Sequence, residues 1–270
     1  MDSTAQTVSS ANAHNGADLL FINARYELTD SAIKNVEAYF GYLAHGDSGP
    51  IFSSRIPPST GGASPWIVGV RTDIAPTDKL QIWAEAAYEG GADGTIAGES
   101  IEAFVANVGA RFTMKDVTWS PAINANYIYA SGGGSDGKNY FRPWFGYGDG
   151  YNGYVFHPSL TDIQIFNVGA SVKPYENTTL SLQAYYYMKV DGDGFATSDS
   201  NIDYGSTGIF AGGTSRDIGW EFDGILGYDY SKDVRCQLVY GVFIPGRDVH
   251  NDSSYDKLAQ EIRGEVNVKF

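Results

Sequence analysis

The 270-residue sequence predicts an all-β protein, an antiparallel up-and-down transmembrane β-barrel. Three observations predict it. Apolar and polar residues alternate with period two along most of the chain, which is the periodicity of a strand rather than a helix. The alternating segments number about eleven and run to roughly ten residues each, the length a tilted strand needs to cross a bilayer. The connections between them are alternately short and long, as tight inner turns and long outer loops are in a meander barrel.

Composition narrows the alternatives. The chain carries 33 Gly, 5 Trp, 19 Tyr and 14 Phe, a mixture that favours strands joined by turns. With 18 basic and 32 acidic residues the net charge is −14, which argues against nucleic acid as a partner because phosphate binding needs a basic face. The single cysteine, Cys236, leaves no disulfide framework and no multi-thiolate metal site. No apolar run reaches the ~20 residues of a spanning helix. The opening Met1-Asp2-Ser3-Thr4-Ala5 does not read as a signal peptide.

Residues 1–17 are expected to form an outer loop or a disordered N-terminal segment, and 18–270 the barrel. In the first strand Leu20, Ile22, Ala24, Tyr26 and Leu28 oppose Asn23, Arg25 and Glu27. In the second, Val36, Ala38, Phe40, Tyr42 and Ala44 oppose Glu37, Tyr39 and His45. Trp66, Val68 and Val70 then oppose Arg71 and Asp73, and Leu80, Ile82, Ala84, Ala86 and Tyr88 oppose Gln81, Trp83, Glu85 and Glu89. Phe104, Ala106, Val108, Ala110 and Phe112 oppose Asn107 and Arg111. Two segments, 123–130 and 163–172, alternate less cleanly. Leu180 to Met188 opposes Gln183, Tyr185, Tyr187 and Lys189; Ile218 to Tyr230 opposes Glu221, Asp223 and Asp229. Val234 to Ile244 opposes Arg235 and Gln237, and Ile262 to Phe270 opposes Glu261, Arg263, Glu265, Asn267 and Lys269.

The apolar faces of these segments carry no charge, and aromatic residues recur towards their ends, where girdles meet lipid headgroups. The opposite faces mix charge, amide, Gly and Tyr, which suits a wet lumen. A soluble β-sandwich produces the same alternation strand by strand. Connection lengths separate the two: 29–34, 75–79, 114–120, 173–178 and 231–233 are short, whereas 46–64, 89–100, 131–160, 190–215 and 246–256 are long. A Greek-key sandwich has no reason to alternate in this way. Eleven strands would leave Met1 outside the cell, an awkward place when single-chain bacterial barrels have even strand numbers, so the sequence reads as the C-terminal part of a larger barrel.

Several stretches resemble the alginate export family of outer-membrane porins. They are Leu160-Thr161-Asp162-Ile163-Gln164-Ile165-Phe166-Asn167-Val168-Gly169 running on to Lys189, Trp220-Glu221-Phe222-Asp223 through to Tyr240-Gly241-Val242-Phe243-Ile244-Pro245-Gly246, the loop Tyr140-Phe141-Arg142-Pro143-Trp144-Phe145-Gly146, and the terminal Val266-Asn267-Val268-Lys269-Phe270. The resemblance covers roughly the second half of the chain. It implies a channel in the bacterial outer membrane with a charged lumen, electropositive in the alginate exporter, for an anionic polysaccharide or small hydrophilic solutes. It also implies a terminal Phe270 read by the barrel-assembly machinery, and outer-membrane lipid as the surrounding partner.

The expected substrate pathway comprises the lumen-face cations Arg25, Arg71, Arg111, Lys189, Arg235 and Arg263, because a ring of cations attracts a carboxylated polymer without stereospecific contact. Glu27, Asp73, Asp229 and Glu265 are close by on the same faces, so the alternative is a structural Arg–carboxylate ladder. Outer-loop candidates are Tyr140, Phe141, Arg142, Trp144 and Phe145. His14, His45, His157 and His250 are scattered, and Asp191, Asp193, Asp199 and Asp203 lack the spacing of a calcium loop, so no metal and no cofactor are expected. Gly46-Asp47-Ser48-Gly49-Pro50 and Gly148-Asp149-Gly150-Tyr151-Asn152-Gly153 match a protease loop and a dinucleotide fingerprint only formally, and both read as outer loops. No carboxylate pair stands out as acid and base, so an enzyme is not expected. The alternatives to a channel are a soluble carbohydrate-binding β-domain and a barrel-embedded outer-membrane enzyme.

Overall fold

The computed structural model describes residues 3–9, 17–45, 64–92, 100–132, 139–141, 152–191, 215–246 and 258–269. They form β1 (Ser3–Ser9), β2 (Ala17–Glu27), β3 (Ile33–His45), β4 (Ser64–Ile74), β5 (Leu80–Ala92), β6 (Ser100–Thr113), β7 (Ala122–Ala130), β8 (Ile163–Tyr175), β9 (Thr178–Lys189), β10 (Asp217–Asp229), β11 (Val234–Pro245) and β12 (Ala259–Val268). All pair antiparallel in one sheet whose spatial order is the sequence order, the expected up-and-down topology. Among the described residues no β12–β1 ladder closes the sheet.

The described residues form twelve strands where the sequence predicts about eleven. The extra strand, β1, lies in the stretch expected to be loop or disordered, and pairs from Ser3↔Ala24 to Ser9↔Asp18. Its Ser-Thr-Ala-Gln-Thr composition carries no large apolar residue except Val8, so periodicity gives it no signal. Ser3 and Val268 then lie at the same end, that of the short turns.

The outward face is apolar and uncovered. Leu182 is 63% exposed, Val266 67% and Ile262 75%, and among the described residues no second sheet packs on them. These exposures exclude the sandwich, in which the same side chains would interleave. The side chains need another apolar medium, and bilayer hydrocarbon is that medium. Outward rings gather at the long-loop ends, where Trp66 meets Tyr88 at 5.7 Å, Phe104 meets Tyr129 at 5.1 Å and Tyr186 meets Trp220 at 4.6 Å. Tyr26, Phe112, Tyr175 and Tyr228 form the second girdle at the short-turn end.

One outward position is corrected. Ile218, read as lipid-facing, is completely buried, because a bulge between Asp217 and Gly219 shifts the register and turns it into the interior. Gly219 at φ +146 makes this bend, and a Cβ there would meet the Ile244 carbonyl oxygen at 2.3 Å.

The concave face is not uniformly wet. Towards the long-loop end Ile101, Ala103, Ile128, Ala130, Ile163, Ile165, Tyr187 and Phe243 form an apolar cluster with Phe141, Val155, Phe156 and Leu160. Those last four belong to the connection between β7 and β8, where the sequence predicts an outer loop over 131–160. Its described part folds inward instead, and Tyr140 and Phe141 are buried. Phe141 N–H donates to Ser131 O at 3.0 Å, and Thr161 Oγ1 donates to Phe141 O at 2.8 Å, so these aromatics seal the interior.

Candidate functional site

The inner wall has three zones. Near the short turns, charges pair across and along strands. Arg25 lies 3.3 Å from Glu27 and 3.6 Å from Glu37, and Arg71 lies 3.8 Å from Asp73. Arg235 meets Asp229 at 2.9 Å, and midway along β12 Arg263 meets Glu261 at 2.6 Å and Glu265 at 3.8 Å. Four of the six expected pathway cations therefore sit in carboxylate ladders. In the short turns themselves, Lys79 binds Asp116 at 2.5 Å and Lys115 faces Asp78 at 3.4 Å, tying two neighbouring turns together. The hydrogen bond to Asp116 holds the Lys79 ammonium above its ordinary pKa, and the same bond holds Asp116 below its own.

The middle zone, on β5 to β9, is made of amides, one indole and one guanidinium. Trp83 Nε1 donates to Asn126 Oδ1 at 3.0 Å. Asn124 Nδ2 donates to Asn167 Oδ1 at 3.1 Å and to Gln183 Oε1 at 3.2 Å, and Asn167 Nδ2 donates to Gln183 Oε1 at 3.1 Å. Arg111 Nη2 donates to Ser171 Oγ at 3.0 Å and makes no ion pair among the described residues. Several of these contacts join strands two apart, which requires a strongly curled sheet.

Glycine keeps this wall low. Tyr39 pairs with Gly69, Trp83 with Gly109 and Gln183 with Gly169 directly across the ladder. A Cβ on each glycine would lie 2.2 Å from Tyr39 Cζ, 2.2 Å from Trp83 Cζ2 and 2.1 Å from Gln183 Oε1. The long side chains thus lie flat over the neighbouring backbone instead of standing up into the lumen.

The third zone, near the long loops, is the apolar cluster with four buried acids among the described residues, Glu89, Asp162, Glu221 and Asp223. Glu221 is completely buried and accepts hydrogen bonds from Tyr154, Val155 and Phe156 N–H at 2.6, 2.8 and 2.9 Å. Among the described residues, neither carboxylate oxygen of the equally enclosed Asp223 is hydrogen-bonded. Asp162, at the mouth of β8, accepts from Asp191 N–H at 3.1 Å, and burial pushes its carboxyl up to about 7. Lys189, the fifth pathway candidate, is also fully buried and lies within electrostatic reach of Asp162, so it belongs to this rim rather than to an open lumen.

Arg111 alone of the six sits in the amide wall. Tyr140 and Phe141 are interior, while Arg142, Trp144, Phe145 and Phe270 lie outside the described residues, as do His14, His250, Asp193, Asp199, Asp203 and the side chain of His45. His157 is in the inward segment, where its Nε2 contacts Tyr154 O. Cys236 is half-buried on the outward face. Sequence reasoning missed the amide wall and Glu221. In register Glu221 faces Tyr185 and Phe243 rather than a cation, but that signal needs the pairing to be known.

An uncovered apolar exterior, two aromatic girdles and a polar wall along a concave interior define a channel-type β-barrel of the bacterial outer membrane. The particular family is shown by its sequence: residues 5–258 match Alginate export, and the chain belongs to that family. Among curated proteins none matches. Solved structures to which the chain is similar include the NanC porin, at 10% identity over 99% of this chain and 99% of that one, TM-score 0.43. The KdgM porin in complex with disordered oligogalacturonate is similar at 7% identity over 95% and 96%, TM-score 0.38. The siderophore receptor PirA from Acinetobacter baumannii is similar at 10% identity over 99% of this chain and 40% of that one, TM-score 0.47.

Proposed function

We propose that the channel passes an anionic polysaccharide or small hydrophilic solutes, saccharides among them, along the wall of β5 to β9. One observation carries the reading: Trp83, Asn124, Asn126, Asn167 and Gln183 lie on one continuous inner surface with Arg111. Sugar hydroxyls both donate and accept, and carboxamides supply both functions without net charge. An indole lying flat offers an apolar face to the C–H side of a sugar ring. Arg111, held by a hydroxyl rather than a carboxylate, keeps its charge for a uronate carboxylate. The other lumen cations, already paired, contribute to wall structure more than to attraction of the solute. Outer-membrane lipid surrounds the exterior, and insertion through a terminal signal ending at Phe270 is part of the same proposal.

The test is current through the full chain in a planar bilayer. Added oligouronate is expected to reduce the ionic current in a concentration-dependent way. Arg111→Gln, which removes a charge-assisted hydrogen bond, should weaken that block about tenfold. Currents that respond to neither oligouronate nor neutral saccharide would overturn the assignment.

A further inference from the structure

The segment 152–157 is fastened to the inner wall by a set of contacts unusual for a surface connection. Loops normally leave their amide groups to water. Here three successive N–H groups, of Tyr154, Val155 and Phe156, converge on one buried carboxylate, Glu221, which leaves none of them for solvent. Tyr187 Oη lies 2.7 Å from Asn152 O and 3.1 Å from Glu221 Oε2, on the other side of the same acid.

Side chains extend the grip over four strands. The Phe156 ring stacks on Phe243 of β11 at 4.7 Å and 7°, and touches Tyr187 of β9 at 5.0 Å. Gln237 Nε2, also on β11, donates to Tyr154 Oη at 2.8 Å, and the Arg263 guanidinium of β12 lies 5.8 Å from the centre of the Tyr154 ring. Two glycines make room. Gly153, at φ +115, would place a Cβ 2.3 Å from Tyr187 Oη and 2.7 Å from Glu221 Oε1, and Gly241 would place one 2.5 Å from Val155 Cγ2. The segment therefore lies against the concave side of β9 to β12 near the long loops, alongside the apolar cluster to which β6 to β8 also contribute.

We propose that residues 152–157 are the constriction that sets the size limit of the pathway, with Glu221 the positioning residue that pins them to the wall. The inference rests on the channel reading above. It divides the labour of the lumen: the pinned segment limits width and presses the passing solute towards Trp83 and Arg111, which limit its chemistry. Glu221 touches no solute and acts only through the backbone amides it holds.

The experiment uses the full chain in liposomes loaded for swelling assays with neutral saccharides of increasing length, with single-channel conductance read in parallel. Glu221→Ala and Phe156→Ala each release one arm of the grip, and both should admit longer saccharides and raise conductance about twofold. In a Cys236→Ser background, Val155→Cys with Gly241→Cys should cross-link the segment to β11 and restore the narrow limit to Glu221→Ala until reductant is added. Heat-modifiable gel migration reports folding; if Glu221→Ala does not fold, Phe156→Ala and the cross-link in the otherwise native chain decide. Folded variants that keep the native size limit would overturn the constriction. No conductance from the native chain or any variant would instead overturn the channel reading beneath it.

Discussion

Leu182 measures directly what surrounds the outward face. It is the fifth of the twelve residues of β9, between Ala170 and Gly224, and 63% of it is exposed. If that exposed part meets hydrocarbon, the whole side chain leaves water on folding. Truncation to Ala then removes three carbon groups at ~0.8 kcal/mol each, or about 2.4 kcal/mol. If the exposed part meets water, only the covered third counts, and the loss is under about 1 kcal/mol. Leu182→Arg widens the gap, costing about 2–4 kcal/mol near a bilayer midplane but within about 0.5 kcal/mol on an aqueous surface. Equilibrium urea unfolding in lipid vesicles, followed by Trp emission, gives both values. A neutral Leu182→Arg would refute the lipid-facing assignment and the transmembrane fold with it.

Two further outcomes follow from the interior. Asp162 titrates near 4 when unfolded and at about 7 when folded, so between these pH values the native state holds a proton that the unfolded state has lost. Stability should therefore fall as pH rises through that window, by up to about 4 kcal/mol, and level off above it. Asp162→Asn should abolish this component, and unfolding curves at pH 5 and pH 8 with the same slope in both proteins would refute it. Gly109→Ala should cost about 1–3 kcal/mol by overpacking against Trp83 and Asn126, and should break the Trp83–Asn126 hydrogen bond. Unchanged Trp emission and unchanged stability would show that the indole does not lie over that glycine.

The outward half of most strands was legible because each strand reports its own environment. A lipid-facing residue needs no partner, only an apolar side chain, so alternation in β2, β6 or β12 states the answer locally. The inner wall is different, since an inward side chain is defined by what lies across or above it. Arg25, Arg71, Arg235 and Arg263 look like a cation path in sequence, and pairing with Glu27, Glu37, Asp73, Asp229, Glu261 and Glu265 converts them into ladders. The less regular alternation of β7 and β8 has the same origin: Ile128, Ala130, Ile163 and Ile165 face inward yet are apolar, because Val155, Phe156 and Leu160 cover them.

Sequence by itself determined the strand periodicity, the single up-and-down order, the short and long ends and the apolar exterior, all of which depend on residues within a few positions of one another. Tertiary structure alone decided that 152–162 turns inward, that Glu221 collects three amides from residues 65 to 67 positions away, and that Arg111 escapes the carboxylates that claim its neighbours. The physical reason is that hydration and lipid contact act on each side chain separately, whereas the cost of burying a charge is set by the partners that the whole chain brings to it.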